Sequence, residues 1–420
     1  MSSIVNKNIE KNLTIRAFYA SCLFNECLFY ACALLPFILV KDLGASSMHI
    51  ELLIIMRPLL GLISPYWSFG VNNKQSKLVP NVLWANFLSK LPFIFLPFTD
   101  NIWIILAMVF VFWVFYRGSM PAWMEILKLH MDGKERAKVF SRSFLTSNVL
   151  CIVLAFTFAP IMQAYPGSWK VLFSVSAFLG FSTLYFQAKL PLNLKVYSPE
   201  TKDSVVPTSR VTWIENIKKP WQASLRLLWK RKDFSKFQLG FLLGGGSVMM
   251  MKPAEIMLAK LPQLSYYDIN HAVGMCKSLG ILLTLNLWKK SVGEHNLFKL
   301  CSIILCLTAL CYVFFLLTPY QIVFFFVAYF IYGIWQAGSH LVWHLSGPAF
   351  SRQADSSLFS TVNVFMVGLR GIFMPFLGAR LLIYFGQSFV FSMGITLCFV
   401  GSILMYNYRY LWGRQQQEVA

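Results

Sequence analysis

The stretch PLNLKVYSPETKDSVVPTSRVTWIENIKKPWQASLRLLWKRKD, residues 191–233, is polar, basic and interrupted by Pro191, Pro199, Pro207 and Pro220. It divides a chain that is otherwise a succession of apolar runs, with six before residue 191 and six after residue 234. A helix that crosses a bilayer needs about 20 mostly apolar residues. The twelve runs lie near 13–40, 47–70, 78–98, 101–128, 142–165, 168–190, 235–260, 266–288, 297–317, 320–345, 357–384 and 388–411. The spacing therefore predicts an all-α integral membrane protein of twelve transmembrane helices in two six-helix pseudo-repeats. Residues 1–190 and 235–420 form the two bundles, and 191–234 the linker. The second part of the linker mixes Trp and Leu with Lys and Arg. It is read as a basic connector that fixes topology, with an amphipathic helix in the headgroup region as the competing reading.

Composition agrees. The 420 residues are 57% hydrophobic and 13% charged, with 39 Phe and a mean hydropathy of +0.59, too apolar for a soluble domain of this length. The net charge of +20 does not point to nucleic acid, because the basic residues concentrate in alternate loops. One set holds Lys7, Lys11, Lys74, Lys77, the run at 132–142, the linker, Lys289, Lys290, Arg352 and Arg414. The other holds little beyond Lys41, Lys170 and Lys260. The positive-inside rule then puts both termini and the linker in the cytoplasm, as an even number of crossings requires. The expected location is the inner (plasma) membrane, multi-pass, as a monomer. The nine cysteines all fall in apolar runs without metal-ligand spacing and are read as small buried hydrophobes. The many aromatics, including the runs at 110–115 and 324–330, are read as mostly lipid-facing bulk.

The halves echo each other at an offset of about 220 residues. MRPLLGLISPYW (56–67) and CKSLGILLTLNLW (276–288) each place a basic residue, Arg57 or Lys277, near mid-membrane, then a glycine, then a Trp at the end. PAWMEILKLHMDGKERAKVFS (121–141) likewise matches LVWHLSGPAFSRQADSSLFS (341–360) in hydropathy and position. Repeats of this kind around a central site are a transporter architecture.

On these features the chain resembles the major facilitator superfamily over nearly its whole length. The family's signature between the second and third helices appears as SPYWSFGVNNKQSK (64–77), which keeps Gly70, Lys74 and Lys77 and lacks the acidic residue. Its fourth-helix signature is similar to YRGSMPAW (116–123), with Arg117 followed by Gly118 and Ser119 but without a Gln-Gly pair. The fifth-helix pattern of exchangers has no counterpart. The resemblance implies alternating access, with helices 1, 4, 7 and 10 lining a central cavity and the loop at Lys74 and Lys77 helping to control the switch.

A charge at mid-bilayer costs about 2.5–3.5 kcal/mol on insertion scales, so the survivors usually pair or face a cavity. On the implied cavity helices lie Glu26, Arg117, Lys252, Glu255 and the stripe Gln336, His340, His344 at successive i+4 steps. Arg57 and Lys277 come next, and Arg370 follows in GLRGIFMPFLGARLL (368–382). These are the expected substrate-binding or coupling residues. Lys74, Lys77, Glu125 and Arg136 are the expected gating residues. Arg117 with Glu26, or Lys252 with Glu255, as purely structural ion pairs is the duller competitor. The glycines at 244–246 and Pro253 suggest a bending gate in the seventh helix.

Arg57, Lys90, Arg117, Lys252, Lys277, Arg370 and Arg380 outnumber Glu26, Glu51 and Glu255 inside the membrane, which favours an anionic solute. The expected function is secondary active transport of a small organic anion, a phosphorylated or carboxylated metabolite. Guanidinium groups would hold it in bidentate fashion. A proton is the expected coupling ion, carried by Glu26 or Glu255, since burial favours a neutral carboxyl and a basic neighbour an ionised one. No cofactor or metal is expected, His340 and His344 having neither a general base nor a third ligand beside them. No enzymatic motif is present. Two other functions stay open: an exporter of amphipathic compounds or lipid, and a non-transporting scaffold or receptor of the same fold.

Overall fold

A computed structural model describes residues 2–72, 75–191, 213–294, 296–351 and 357–411. Its first six helices are α1 (Ser2–Lys41), α2 (Ser47–Asn72), α3 (Leu78–Ile94), α4 (Ile102–His130), α5 (Gly133–Ala164) and α6 (Trp169–Gln187). Helix α7 (Trp213–Lys230) occupies the end of the linker, and α8 (Lys232–Met257) follows it. The short α9 (Tyr266–Asn270) runs through a π-helical turn, His271–Cys276, into α10 (Lys277–Glu294). Then come α11 (Leu297–Leu317), α12 (Val323–Ser351) and α13 (Ser357–Asn407). Helix α13 holds two crossings, divided at Gly386, whose φ of 81° no regular helix accommodates. With α9 to α10 taken as one crossing and α7 as none, the count is twelve. Seven of the helices, one of them the doubled α13, are each long and apolar enough to cross a membrane.

Local chemistry sets the helix starts. Side-chain oxygens of Asn101, Asp132 and Asn296 accept from the backbone N–H groups of Trp103 (2.9 Å), Glu135 (2.7 Å) and Phe298 (2.9 Å), capping α4, α5 and α11. Ser265 and Asp268 form a reciprocal capping box at the start of α9. The packing falls into two groups. Helices α1, α3, α4 and α6 pack together with α2 against α4, while α8, α11 and α12 surround α13 with α10 against α12. The groups meet where α1 touches α8, α2 touches α13, and α5 touches α9, the π turn and α10.

Three expectations need correction. Helix α8 runs unbroken through Gly244, Gly245 and Gly246. A Cβ at these positions would press on Leu305, Arg370 and Met374 respectively, so in this conformation the glycines admit neighbouring side chains and the helix is not bent at them. The linker is more than a connector: α7 stacks Trp221 on Phe365 at 4.0 Å and buries Ser224, while Leu225 (57%) and Trp229 (84%) stay exposed beside Arg226 and Lys230. The aromatic runs are not uniformly lipid-facing: Phe112 and Phe325 are core residues and Tyr329 is a buried hydrogen-bond donor, while Phe110 is exposed and the other rings are half-buried.

Candidate functional site

Helices α1, α2, α4, α8 and α10 bring six of the expected charges into one electrostatic neighbourhood between the halves, and α12 adds Tyr329 and Tyr332. On α4, Tyr116 and Arg117 lie beside Arg57 of α2, whose guanidinium sits over the Trp113 ring at 5.1 Å. Phe29 of α1 meets the edge of Tyr116 at 4.8 Å, and Tyr116 in turn lies within electrostatic reach of Glu26. The small residue after Arg117 lets α3 approach, with Asn81 donating to the Gly118 carbonyl at 3.3 Å. Glu26 is not paired with Arg117. It accepts from the Cys151 thiol at 3.3 Å and from Ser147, both on α5, and feels the charge of Lys277 across the interface.

Lys277 reaches that position through its backbone. The π turn ends on the residue before it, and an extra residue per turn re-aims the side chains that follow. Gly280 and Gly333 then let α10 and α12 touch backbone to backbone: a Cβ on Gly333 would collide with the Lys277 carbonyl, and one on Gly280 with that of Phe330. Lys277 lies within reach of Glu26, Lys252 and Glu255. Arg57 and Lys277, matched by the internal repeat, thus both belong to the central group.

Lys252 and Glu255 form an ion pair at 2.5 Å. Glu255 is fully buried and accepts further hydrogen bonds from Tyr329 (2.8 Å) and Tyr312 (3.4 Å). The Lys252 ammonium lies 5.0 Å from the Tyr332 ring centre, and Tyr332 is also within reach of Arg57. The pair lies within α8, and it is the Tyr312 and Tyr329 hydrogen bonds that tie Glu255 to α11 and α12.

Other expected residues lie elsewhere. Gln336 is half-buried, and His340 is exposed with its ring 6.1 Å from Phe144 of α5, toward the end of the molecule that holds the termini. Arg370 points into the C-terminal bundle, where it donates to the Phe241 carbonyl at 2.6 Å. Of the expected gating residues, Lys77 is exposed, Glu125 meets Lys128 at 3.7 Å, and Arg136 is half-buried near the start of α5. Lys74 and the side chain of His344 lie outside the described residues, as do Arg352, residues 192–212 and Arg414. Lys90 is buried within the N-terminal bundle, bonded to the Asn86 side chain and carbonyl.

Sequence reasoning missed Tyr116, Tyr332, Ser147 and Cys151. Tyr332 was within reach, because it precedes Gln336 by four residues and extends the same helical stripe. Ser147 and Cys151 carry no signal of their own, since only the packing of α5 on α1 reveals them.

At the end opposite the termini the halves are sealed. Tyr266 donates to Asp42 at 2.5 Å, and Lys41 to the Leu264 carbonyl. Tyr30 donates toward the Asn270 carbonyl (3.2 Å) and its side-chain oxygen (3.1 Å), and Arg380 lies 3.9 Å from Glu51.

No family model and no curated protein matches this sequence. Solved structures do match the fold. The nucleoside transporter NupG is similar over 94% of this chain and 98% of its own, with a TM-score of 0.68 at 11% identity. A POT family transporter in complex with 5-aminolevulinic acid is similar over 95% and 96%, with a TM-score of 0.71 at 12% identity. The peptide transporter POT in complex with sulfate covers 96% and 95%, with a TM-score of 0.70 at 12% identity. The chain has the major facilitator fold. In that fold the central charges stand where two halves of an integral, multi-pass membrane protein face each other.

Proposed function

We propose that the protein is a secondary active transporter of a small organic anion, moved by alternating access of its two halves, with a proton as the coupling ion. The observation that carries this reading is the charge imbalance at the centre. Among the described residues, Glu26 and Glu255 are the acids that come within electrostatic reach of Arg57, Arg117, Lys252 and Lys277 there, and Glu255 is already paired with Lys252. The surplus is positive, and a carboxylate or phosphate on the solute is the group that matches two adjacent guanidinium ions. Arg57 and Arg117 take the anionic group. Glu26 takes the coupling proton, because its present partners are a thiol and a hydroxyl, whereas Glu255 is held by a lysine and two tyrosines.

The similar structures, of nucleoside and peptide transporters, support the transporter class at the level of fold. The basic residues gathered near the termini support a cytoplasmic placement of that end. Uptake of labelled carboxylates and phosphates into proteoliposomes, with and without an inward proton gradient, tests the reading. Arg117→Ala is expected to weaken apparent affinity at least about tenfold, since a hydrogen bond to a charged group contributes roughly 1.5–3 kcal/mol. Transport of neutral solutes alone, or undiminished anion transport by the variant, removes the anion reading.

A further inference from the structure

Arg370 is the buried charge that the central group leaves out. Its residue is 9% exposed, and one guanidinium nitrogen donates to the Phe241 carbonyl while the cation lies 4.5 Å from the Phe241 ring centre. Its Nε has no acceptor. Among the described residues no carboxylate pairs with it, the acids of this half that meet a base being bound to Lys252 and Arg231. An uncompensated charge in the interior of a membrane bundle is costly unless something of opposite sign sits beside it.

The guanidinium lines a cavity of about 40 Å³ between α8, α11, α12 and α13. Gly244 and Gly245 form one wall, and a Cβ on Gly245 would occupy the guanidinium's own place, so the glycine clears the arginine's approach. Thr308 and Ser339 stand on the other walls, the Thr308 hydroxyl already donating to the Ile304 carbonyl at 2.8 Å, and the remaining lining is largely apolar. A single water needs roughly 10–15 Å³ of such space, so the cavity admits about three waters or one small anion, and not a nucleotide or a sugar phosphate.

We infer that Arg370, with Gly245 and the Thr308 and Ser339 walls, forms a binding site for a small monovalent anion inside the C-terminal bundle, separate from the central charges. The shared chemistry is a compact single negative charge, supplied either by free halide or by the carboxylate of a small acid. The inference does not depend on the transport reading, because the site is built around its own arginine and its lining shares no residue with Arg57, Arg117 or Glu26.

Thermal unfolding of the purified full-length protein at fixed ionic strength tests it. Sodium gluconate, whose anion exceeds the cavity, is replaced stepwise by chloride, bromide or acetate. A saturable rise of a few degrees in Tm is expected with at least one of the three. Response to the halides alone identifies free halide as the source, and response to acetate alone identifies a carboxylate. Arg370→Met is expected to lose the response and, in gluconate, to melt no lower than the unsubstituted protein, since it no longer buries a bare charge. Arg370→Gln, which keeps a donor for the Phe241 carbonyl, serves if the Met variant fails to fold. No saturable response in the unsubstituted protein, or an equal response in the variants, overturns the proposal. A bromide-soaked crystal gives a reading independent of any variant: anomalous density beside Arg370 supports the site, and its absence at saturating bromide refutes it.

Discussion

Two glutamates that look equivalent in sequence are placed in opposite circumstances. Glu255 is saturated by Lys252, Tyr312 and Tyr329, so removing its charge strands a lysine in the bundle. Breaking one partner of a buried pair costs about 3–5 kcal/mol, and Glu255→Gln is expected to lower Tm markedly in thermal unfolding. Glu26 accepts only from a thiol and a hydroxyl, with Lys277 within electrostatic reach but not paired to it, and Glu26→Gln is expected to lower Tm far less than Glu255→Gln. The same substitution is expected to make uptake insensitive to the proton gradient, because the neutral amide cannot exchange a proton. If instead Glu255→Gln keeps its Tm and Glu26→Gln keeps the gradient response, the roles are reversed. The sequence displayed both carboxylates but not this distinction, since Tyr312 and Tyr329 lie 57 and 74 residues from Glu255.

Among the helices, the contact of α10 with α12 matters most, because it fixes where the Lys277 backbone stands. Gly333→Ala is expected to destabilise the protein by more than the roughly 1–3 kcal/mol typical of overpacking, since the obstacle is a backbone carbonyl that cannot swing aside. Gly61→Ala, which meets open space in α2, is the matched control and is expected to be neutral in the same unfolding measurement. Equal melting of the two variants would remove the crossing as a determinant. The existence of the spans was legible from hydropathy, and the starts of α4, α5 and α11 sit at capping residues visible in the sequence. The π turn was not: Gly274 is the one helix-weakening residue in His271–Cys276 and does not by itself specify a bulge, whose residues pack against α5 and α12. Nor did the triple glycine of α8 announce its purpose, because a glycine written in sequence does not say whether a neighbour stands over it. The charged centre was legible as a set of residues on separate helices, and the pairing within it was not.

For the molecule as a whole, the seal between Asp42 and Tyr266, Tyr30 and Asn270, and Glu51 and Arg380 has to part if alternating access is to open that end. Tyr266→Phe removes one hydrogen bond to a carboxylate, about 1.5–3 kcal/mol, and is expected to shift the balance toward opening by roughly tenfold or more. The measurement is the labelling rate of Cys151, which lies at the centre beside Glu26, by an impermeant maleimide added at the sealed end, on a background without the other native cysteines, with a faster rate expected in the Phe variant. An unchanged rate would mean that this contact does not hold the end shut. A different consequence attaches to Gly386, the single residue at which α13 reverses, with Gln387 next to it bonded to the Ala254 carbonyl at 2.7 Å. Almost no polar chain lies between the last two crossings, so during synthesis there is no loop to be translocated on its own. The final pair has to enter the bilayer as one hairpin, after α8 is already in place to receive it.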